Sequence, residues 1–160
     1  MANASLFESK YKSLEGVEHN TQHNGNYLVN ILAGKEFVQL GKRKNQTLGL
    51  NAKAFFGGGK KIIPLLRDGQ GNLAVDPANN RFFDYSKAYE NSLGDVYQIT
   101  ASVSYKWDKR RAIHEVFLNL DNVTNHKGKL SEFYDESEPG KVGHVTQFGV
   151  FPNLMYRVYF

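Results

Sequence analysis

The 160-residue sequence contains no cysteine, which removes disulfide frameworks and thiolate metal sites and leaves the compartment open. No apolar run approaches the ~20 residues that a membrane-crossing helix needs. The first residues also lack a charged and then apolar leader, so neither a helical membrane protein nor an intact secreted precursor is expected. Gly57-Gly58-Gly59 runs into Lys60 without the GxxxxGK[ST] spacing of a phosphate loop. Among the five histidines only His19 and His23 stand four apart, and they do so in a Gly/Asn-rich stretch rather than on a helix, so loop polarity is favoured over a zinc site. Asp135, Glu136 and Glu138 are too few oxygen ligands for calcium and read as a solvated acidic run. No nucleophile and base, and no pair of carboxylates, can be read from the chain. Catalysis is therefore not expected, and neither is a cofactor.

The formal net charge of +4 and pI near 9.2 raise the question of nucleic acid. Lys and Arg are nevertheless dispersed, with local clusters only at Lys42-Arg43-Lys44 and Lys109-Arg110-Arg111, both in predicted short turns. With no basic stripe and no recognition motif beside them, these read as solvated turns, and no nucleic-acid partner is expected. A mean hydropathy of −0.50 does not exclude a membrane barrel. Barrel strands alternate lipid-facing and lumen-facing residues, so the average stays low while each strand keeps one apolar face.

Alternation is what the sequence has in quantity. Residues 145–160 carry Phe148, Val150, Pro152, Leu154, Tyr156, Val158 and Phe160 at every second position, the period of a strand with one apolar face. The clearest strand sets Tyr97, Ile99, Ala101, Val103, Tyr105 and Trp107 against Gln98, Thr100, Ser102, Ser104 and Lys106, apolar on one side and polar on the other. Its aromatics stand at the two ends with small aliphatics between, the placement of aromatic girdles at membrane interfaces. Three further segments alternate in the same way. Residues 26–40 present Tyr27, Val29, Ile31, Ala33 and Phe37, interrupted by Lys35. Leu48, Leu50, Ala52, Ala54 and Phe56 follow after a hairpin-length turn. Val116, Leu118 and Leu120 oppose Glu115, Asn119 and Asp121. A weaker first strand is predicted at residues 5–11.

The connections run long, short, very long, short, long. In an antiparallel meander this puts every short turn at one end and every long loop at the other, the asymmetry of outer-membrane barrels. The longest irregular stretch, residues 60–94, interleaves Phe82, Phe83, Tyr85 and Tyr89 with Arg81, Asp84 and Lys87. These aromatics either pack the loop onto itself or present ring faces to a ligand. Arg81, Phe82, Phe83 and Tyr85 are the candidate ligand contacts, because aromatics and Arg give large contact area and directional bonds. The expected fold is all-β, an antiparallel up-and-down meander of about six strands.

Ala4-Ser5-Leu6-Phe7-Glu8-Ser9-Lys10-Tyr11-Lys12, Asn26-Tyr27-Leu28-Val29-Asn30 with Ala33-Gly34-Lys35-Glu36-Phe37, Leu118-Asn119-Leu120-Asp121-Asn122-Val123-Thr124-Asn125 and Gly149-Val150-Phe151-Pro152-Asn153-Leu154-Met155-Tyr156-Arg157 together resemble the carboxy-terminal barrel strands of TonB-dependent receptors. The closest likeness is to the group with a carboxypeptidase-regulatory-like domain ahead of the plug. The resemblance covers nearly the whole chain except residues 60–94.

That resemblance implies a location in the cell outer membrane and a part in taking up a scarce solute, an iron chelate or an oligosaccharide. It implies as partners the remaining barrel and plug of a parent chain, the TonB complex acting through that plug, outer-membrane lipid and the barrel-insertion machinery. Leu154, Tyr156, Val158 and Phe160 match the terminal signal that this machinery reads, and Tyr97, Ile99, Ala101, Val103, Tyr105 and Trp107 are the lipid-facing set. Such receptors have a plug and about twenty-two strands, and a single-chain membrane barrel needs about eight to close. The expectation is therefore a partial carboxy-terminal barrel domain over residues 1–160, with Met1 internal to a longer parent. The competing class is a soluble or surface-exposed β-sheet binding module without transport activity.

Overall fold

The computed structural model describes residues 1–78, 81–135, 137–138 and 140–160; Glu136 of the acidic run lies outside the described residues. The strands are β1 (Ala2–Leu6), β2 (Lys10–Lys12), β3 (Glu18–Asn20), β4 (Tyr27–Leu40), β5 (Gln46–Gly57), β6 (Lys61–Ile62), β7 (Asn91–Ser92), β8 (Val96–Lys109), β9 (Ala112–Asp121), β10 (Lys129–Tyr134), β11 (Val142–Thr146) and β12 (Phe151–Tyr159). Six of them form one antiparallel sheet in chain order, β1-β4-β5-β8-β9-β12. The all-β meander expected from the alternation is the fold observed. No described helix is long and apolar enough to cross a membrane.

Register decides which residues share a face, because directly opposed residues of an antiparallel pair point the same way. One row runs Ala33, Ala52, Ala101, Leu120, Pro152; the next runs Lys35, Leu50, Val103, Leu118, Leu154. A third runs Phe37, Leu48, Tyr105, Val116, Tyr156. The five alternating segments thus combine into one continuous apolar face. Lys35 is its single charged member in these rows, and its ammonium lies 5.1 Å from the centroid of the Phe37 ring. The stem stays on the apolar surface while the charge reaches toward the nearer sheet end.

The opposite face carries Asn51, Ser102, Asn119 and Asn153 in one row and Thr47, Lys106, Glu115 and Arg157 in another. Leu65 is the one buried hydrophobic side chain among the described residues, and Ile31, Leu50, Val103, Leu118, Leu154 and Tyr156 are all exposed. The sheet is a single layer, and among the described residues no second layer packs on its apolar side.

Both short turns, residues 41–45 and 110–111, lie at one end of the sheet, and all three long connections lie at the other. Each long connection holds its own small hairpin, β2–β3, β6–β7 or β10–β11, which corrects three sequence expectations. The first strand is not residues 5–11: β1 ends at Leu6, with Ala2, Ala4 and Leu6 on the face of Ile31, Val29 and Tyr27. The chain then leaves the sheet, and residues 10–12 pair with 18–20 around Gly16 at φ 82°. Tyr11 stacks on His19 in that hairpin, with ring centroids 5.6 Å apart, so this histidine is a packing partner.

The last of the long connections carries a hairpin of its own, and residues 145–160 are not one strand. Residues 142–146 belong to the β10–β11 hairpin, and the sheet strand starts only at Phe151. The break is held by Asn122, whose amide donates to the Phe148 carbonyl at 2.7 Å, and by Asn125, whose Oδ1 accepts from the Val150 N–H at 3.3 Å.

Candidate functional site

The three long connections fold together into a cap over one end of the sheet. Lys61 N–H donates to the Gln22 carbonyl at 2.9 Å, and the Asn20 amide donates to the Tyr89 carbonyl at 3.2 Å. Asn24, fully buried, accepts from the Ser9 N–H at 3.0 Å and donates to Asn20 Oδ1 at 2.8 Å, fixing the first connection. The second and third connections meet where Phe82 stacks on Tyr134, centroids 4.4 Å apart and planes 17° apart.

Within this cap the four predicted contact residues separate. Pro64 accepts from the Asp84 N–H and Phe82 accepts from the Leu66 N–H, pinning residues 81–85 beside buried Leu65. Tyr85 opens a one-turn 3-10 helix, Tyr85–Lys87. Asp84 caps it by accepting from the Ser86 N–H at 3.1 Å and from the Ser86 hydroxyl, and it pairs with Lys87 at 3.2 Å. These donors, the Ser86 hydroxyl foremost and Lys87 with it, hold the Asp84 carboxyl below its ordinary range. Phe83 meets the Tyr85 ring edge-on at 6.5 Å, and the Arg81 guanidinium lies 5.3 Å from the Tyr85 centroid. Phe83 and Tyr85, with Tyr89, Lys61 and Glu132, line a hollow of about 210 Å³. Arg81 reaches this cluster through Tyr85, whereas Phe82 packs against Tyr134.

A larger hollow of about 480 Å³ lies on the polar face beneath β10–β11, between Gln98, Asp121, Asn122, Gln147, Phe148 and Phe151. A smaller one of about 190 Å³ adjoins it through Gln98 and Asp121, adding Lys53, Phe55 and Thr100. The Thr100 hydroxyl donates to Asp121 at 3.0 Å, and the Asn119 amide donates to the same carboxylate at 3.0 Å. Gln147 Oε1 is buried without a hydrogen-bond partner in the structure. Amide groups, the Asp121 carboxylate and two phenyl rings give the larger hollow a mixed polar and apolar lining, and its volume is that of a small-molecule site.

Sequence reasoning missed this hollow. Its shape depends on Asn122 and Asn125, both in left-handed backbone conformation with φ 51° and 54°. An Asn-rich turn ending a strand is the one local signal that pointed there. The described residues contain no cluster of three or more His, Cys, Asp or Glu able to hold a metal ion.

Tyr97, Ile99, Ala101, Val103, Tyr105 and Trp107 all lie on the apolar face. Phe56 stacks on Tyr97 at 6.2 Å near the cap. At the other end Trp107 stacks on His114 at 5.3 Å, and His114 Nδ1 lies 2.7 Å from the Tyr156 hydroxyl. Leu154, Tyr156 and Val158 share this face on β12, while Phe160 lies just beyond the strand and is fully exposed. The chain matches no protein-family model, no curated protein and no solved structure.

Proposed function

We propose that the chain is a piece of the membrane-spanning wall of an outer-membrane barrel of the TonB-dependent receptor type, and that its cap takes part in capturing a scarce solute. The observation that supports this most is the continuous apolar face bounded by aromatic rows. From Tyr97 to Trp107 is ten residue steps along β8, roughly 34 Å at about 3.4 Å per residue. Tilted by about 40°, such a strand spans roughly 26 Å along the membrane normal, against an apolar band of about 25 Å in outer-membrane barrels. Soluble monomers avoid apolar faces of this extent.

In this reading the sheet edges at β1 and β12 pair with further strands, because each unpaired backbone group in hydrocarbon costs several kcal/mol. The polar face lines the lumen, the cap is extracellular and the two short turns are periplasmic. The hollows at Phe83 and Tyr85, and at Gln98 and Asp121, lie where a solute entering from outside is met first. An iron chelate or an oligosaccharide fits their mixture of aromatic and amide groups.

The test places single charges on neighbouring residues of β8 in the membrane-assembled protein. Ala101→Arg sets a cation at mid-face and is expected to cost about 2–4 kcal/mol, while Ser102→Arg, one residue away on the polar face, is far milder. Fluorophores along β8 quenched by lipid-borne quenchers should alternate in the same phase. Equal costs at the two positions, or lipid access at Gln98, Thr100 and Ser102 instead, would return the sheet to the non-transporting binding-module reading.

A further inference from the structure

The two basic segments of the sequence, separated by more than sixty residues, are brought to one place by the sheet. Asn45 in the first turn donates its amide to the Asp108 carbonyl at 2.6 Å and accepts from the Asp108 N–H at 2.9 Å, joining the β4–β5 turn to the end of β8. Lys42, Arg43, Lys109 and Arg110 surround one open hollow of about 450 Å³, in which Asp108 is the single carboxylate. All four cations are exposed, none forms an ion pair among the described residues, and Lys44 and Arg111 flank them.

We propose that these two turns form a docking surface for the headgroups of anionic phospholipids, with Lys42, Arg43, Lys109 and Arg110 contacting the phosphates. The inference rests on the membrane reading above. Depth selects lipid over other polyanions. Trp107 ends the apolar face, and Lys109 follows it by two residues on the same strand, roughly 7 Å further along the strand at about 3.4 Å per residue and about 5 Å further along the membrane normal at a tilt of about 40°. The headgroup layer extends about 5–8 Å beyond the hydrocarbon on each side. Tyr105, Trp107 and Tyr156 therefore lie at interfacial level, and the cations directly beyond them lie at phosphate level. A selective site for a free anion needs converging buried donors, whereas these side chains are all solvent-facing. A juxtamembrane cluster of this kind attracts anionic lipid at about 1 kcal/mol per cation, which is roughly fivefold each.

The test is co-flotation of the full chain with vesicles of phosphatidylcholine alone, or of phosphatidylcholine with phosphatidylglycerol, at low ionic strength. The wild type is expected to prefer the anionic vesicles by about tenfold or more, with the preference shrinking as salt is raised. Lys42→Gln/Arg43→Gln/Lys109→Gln/Arg110→Gln is expected to lose that preference while still floating with neutral vesicles. The charge-keeping set Lys42→Arg/Arg43→Lys/Lys109→Arg/Arg110→Lys is expected to retain it, which separates lost charge from misfolding. Flotation with both vesicle types and no anionic preference overturns this proposal and leaves the membrane reading standing. Flotation with neither overturns this proposal, and the membrane reading is then decided by Ala101→Arg against Ser102→Arg in the membrane-assembled protein. Loss of the preference to inorganic phosphate, but not to chloride of matched ionic strength, assigns the patch to a small anion. Equal retention on polyglutamate assigns it to acidic protein. Either result overturns the lipid assignment.

Discussion

The Tyr159 hydroxyl donates to Oε2 of Glu115 at 2.9 Å, joining the last residue of β12 to the middle of β9 on the polar face. Glu115 is only 5 % exposed, and its two oxygens also face Lys106 and Arg157, each at 3.6 Å. The two cations are half exposed, so each ion pair contributes modestly, about 0.5–1 kcal/mol. The hydroxyl bond to a desolvated carboxylate contributes about 1.5–3 kcal/mol. A double-mutant cycle of Glu115→Gln and Tyr159→Phe, read by urea unfolding, is expected to give a coupling energy of about 1 kcal/mol. Additive effects would show that β12 is held by its backbone ladder alone.

Gly58 lies against Gly25 so closely that an added Cβ would sit 1.6 Å from the Gly25 carbonyl oxygen. The obstacle is backbone, which cannot swing aside as a side-chain tip can. Gly58→Ala is therefore expected to destabilise by about 1–3 kcal/mol and to loosen the cap where β5 leaves the sheet. Gly69→Ala is the control, because nothing lies within 4 Å of its added Cβ. The unfolding midpoints of the two variants, with proteolysis of residues 58–95, check the contrast, and equal midpoints would refute the close approach.

Acid is expected to loosen the same cap. The Asp84 carboxyl is held below its ordinary range by the Ser86 hydroxyl and Lys87. Asp68 is held below it by the Asn72 and Gln70 N–H groups. A depressed folded value means that the unfolded cap takes up protons first. The stabilisation is fully present above the ordinary aspartate value of about 3.9 and is lost as pH falls through the depressed values. Proteolysis of residues 60–94 should stay constant from neutral pH down to about 4 and rise below it. Ser86→Ala should raise cleavage at neutral pH while flattening the acid rise. An acid profile unchanged by Ser86→Ala would remove Asp84 from the account.

The parts legible in the sequence are those whose cause is local. The β8 segment alternates without interruption, so its faces follow from period alone, and cross-strand register then merges it with β4, β5, β9 and β12. The break ahead of β12 was not legible, because apolar alternation continues through Phe148 and Val150. What stops the strand there is a pair of asparagines more than twenty residues upstream that take up its backbone groups. The first strand failed for a related reason: residues 5–11 alternate weakly in either phase, and pairing with β4 selects Ala2, Ala4 and Leu6. In the cap, the sequence marked the aromatic cluster but not its division of labour. Phe82 and Phe83 are adjacent, so their side chains diverge, one toward Tyr134 and the other toward Tyr85. The basic turns were readable as clusters but not as one surface, since only the meander brings residues 42–43 beside 109–110.

The terminal residue separates an assembly role from a stability role. Leu154, Tyr156 and Val158 follow one another on the apolar face of β12, and Phe160 continues their period two from a fully exposed position beyond the strand end. A buried phenylalanine truncated to alanine costs about 3–5 kcal/mol. Phe160 has no such burial to lose in this chain, so Phe160→Ala is expected to leave the unfolding midpoint of the chain unchanged. In the barrel reading, the insertion machinery engages this strand as an exposed edge before closure, adding its own backbone to the ladder and reading alternate side chains. Phe160→Ala is then expected to lower the outer-membrane yield of the receptor. Molecules that do reach the membrane should keep normal heat-modifiable mobility and near-normal solute affinity, since the cap lies about 25 Å of apolar band away. Tyr156→Ala distinguishes the two effects further, because it removes both a signal residue and the partner of His114 and should lower yield and stability together. Unchanged yield for Phe160→Ala, alongside unchanged mobility, would show that the terminal aromatic carries no assembly information.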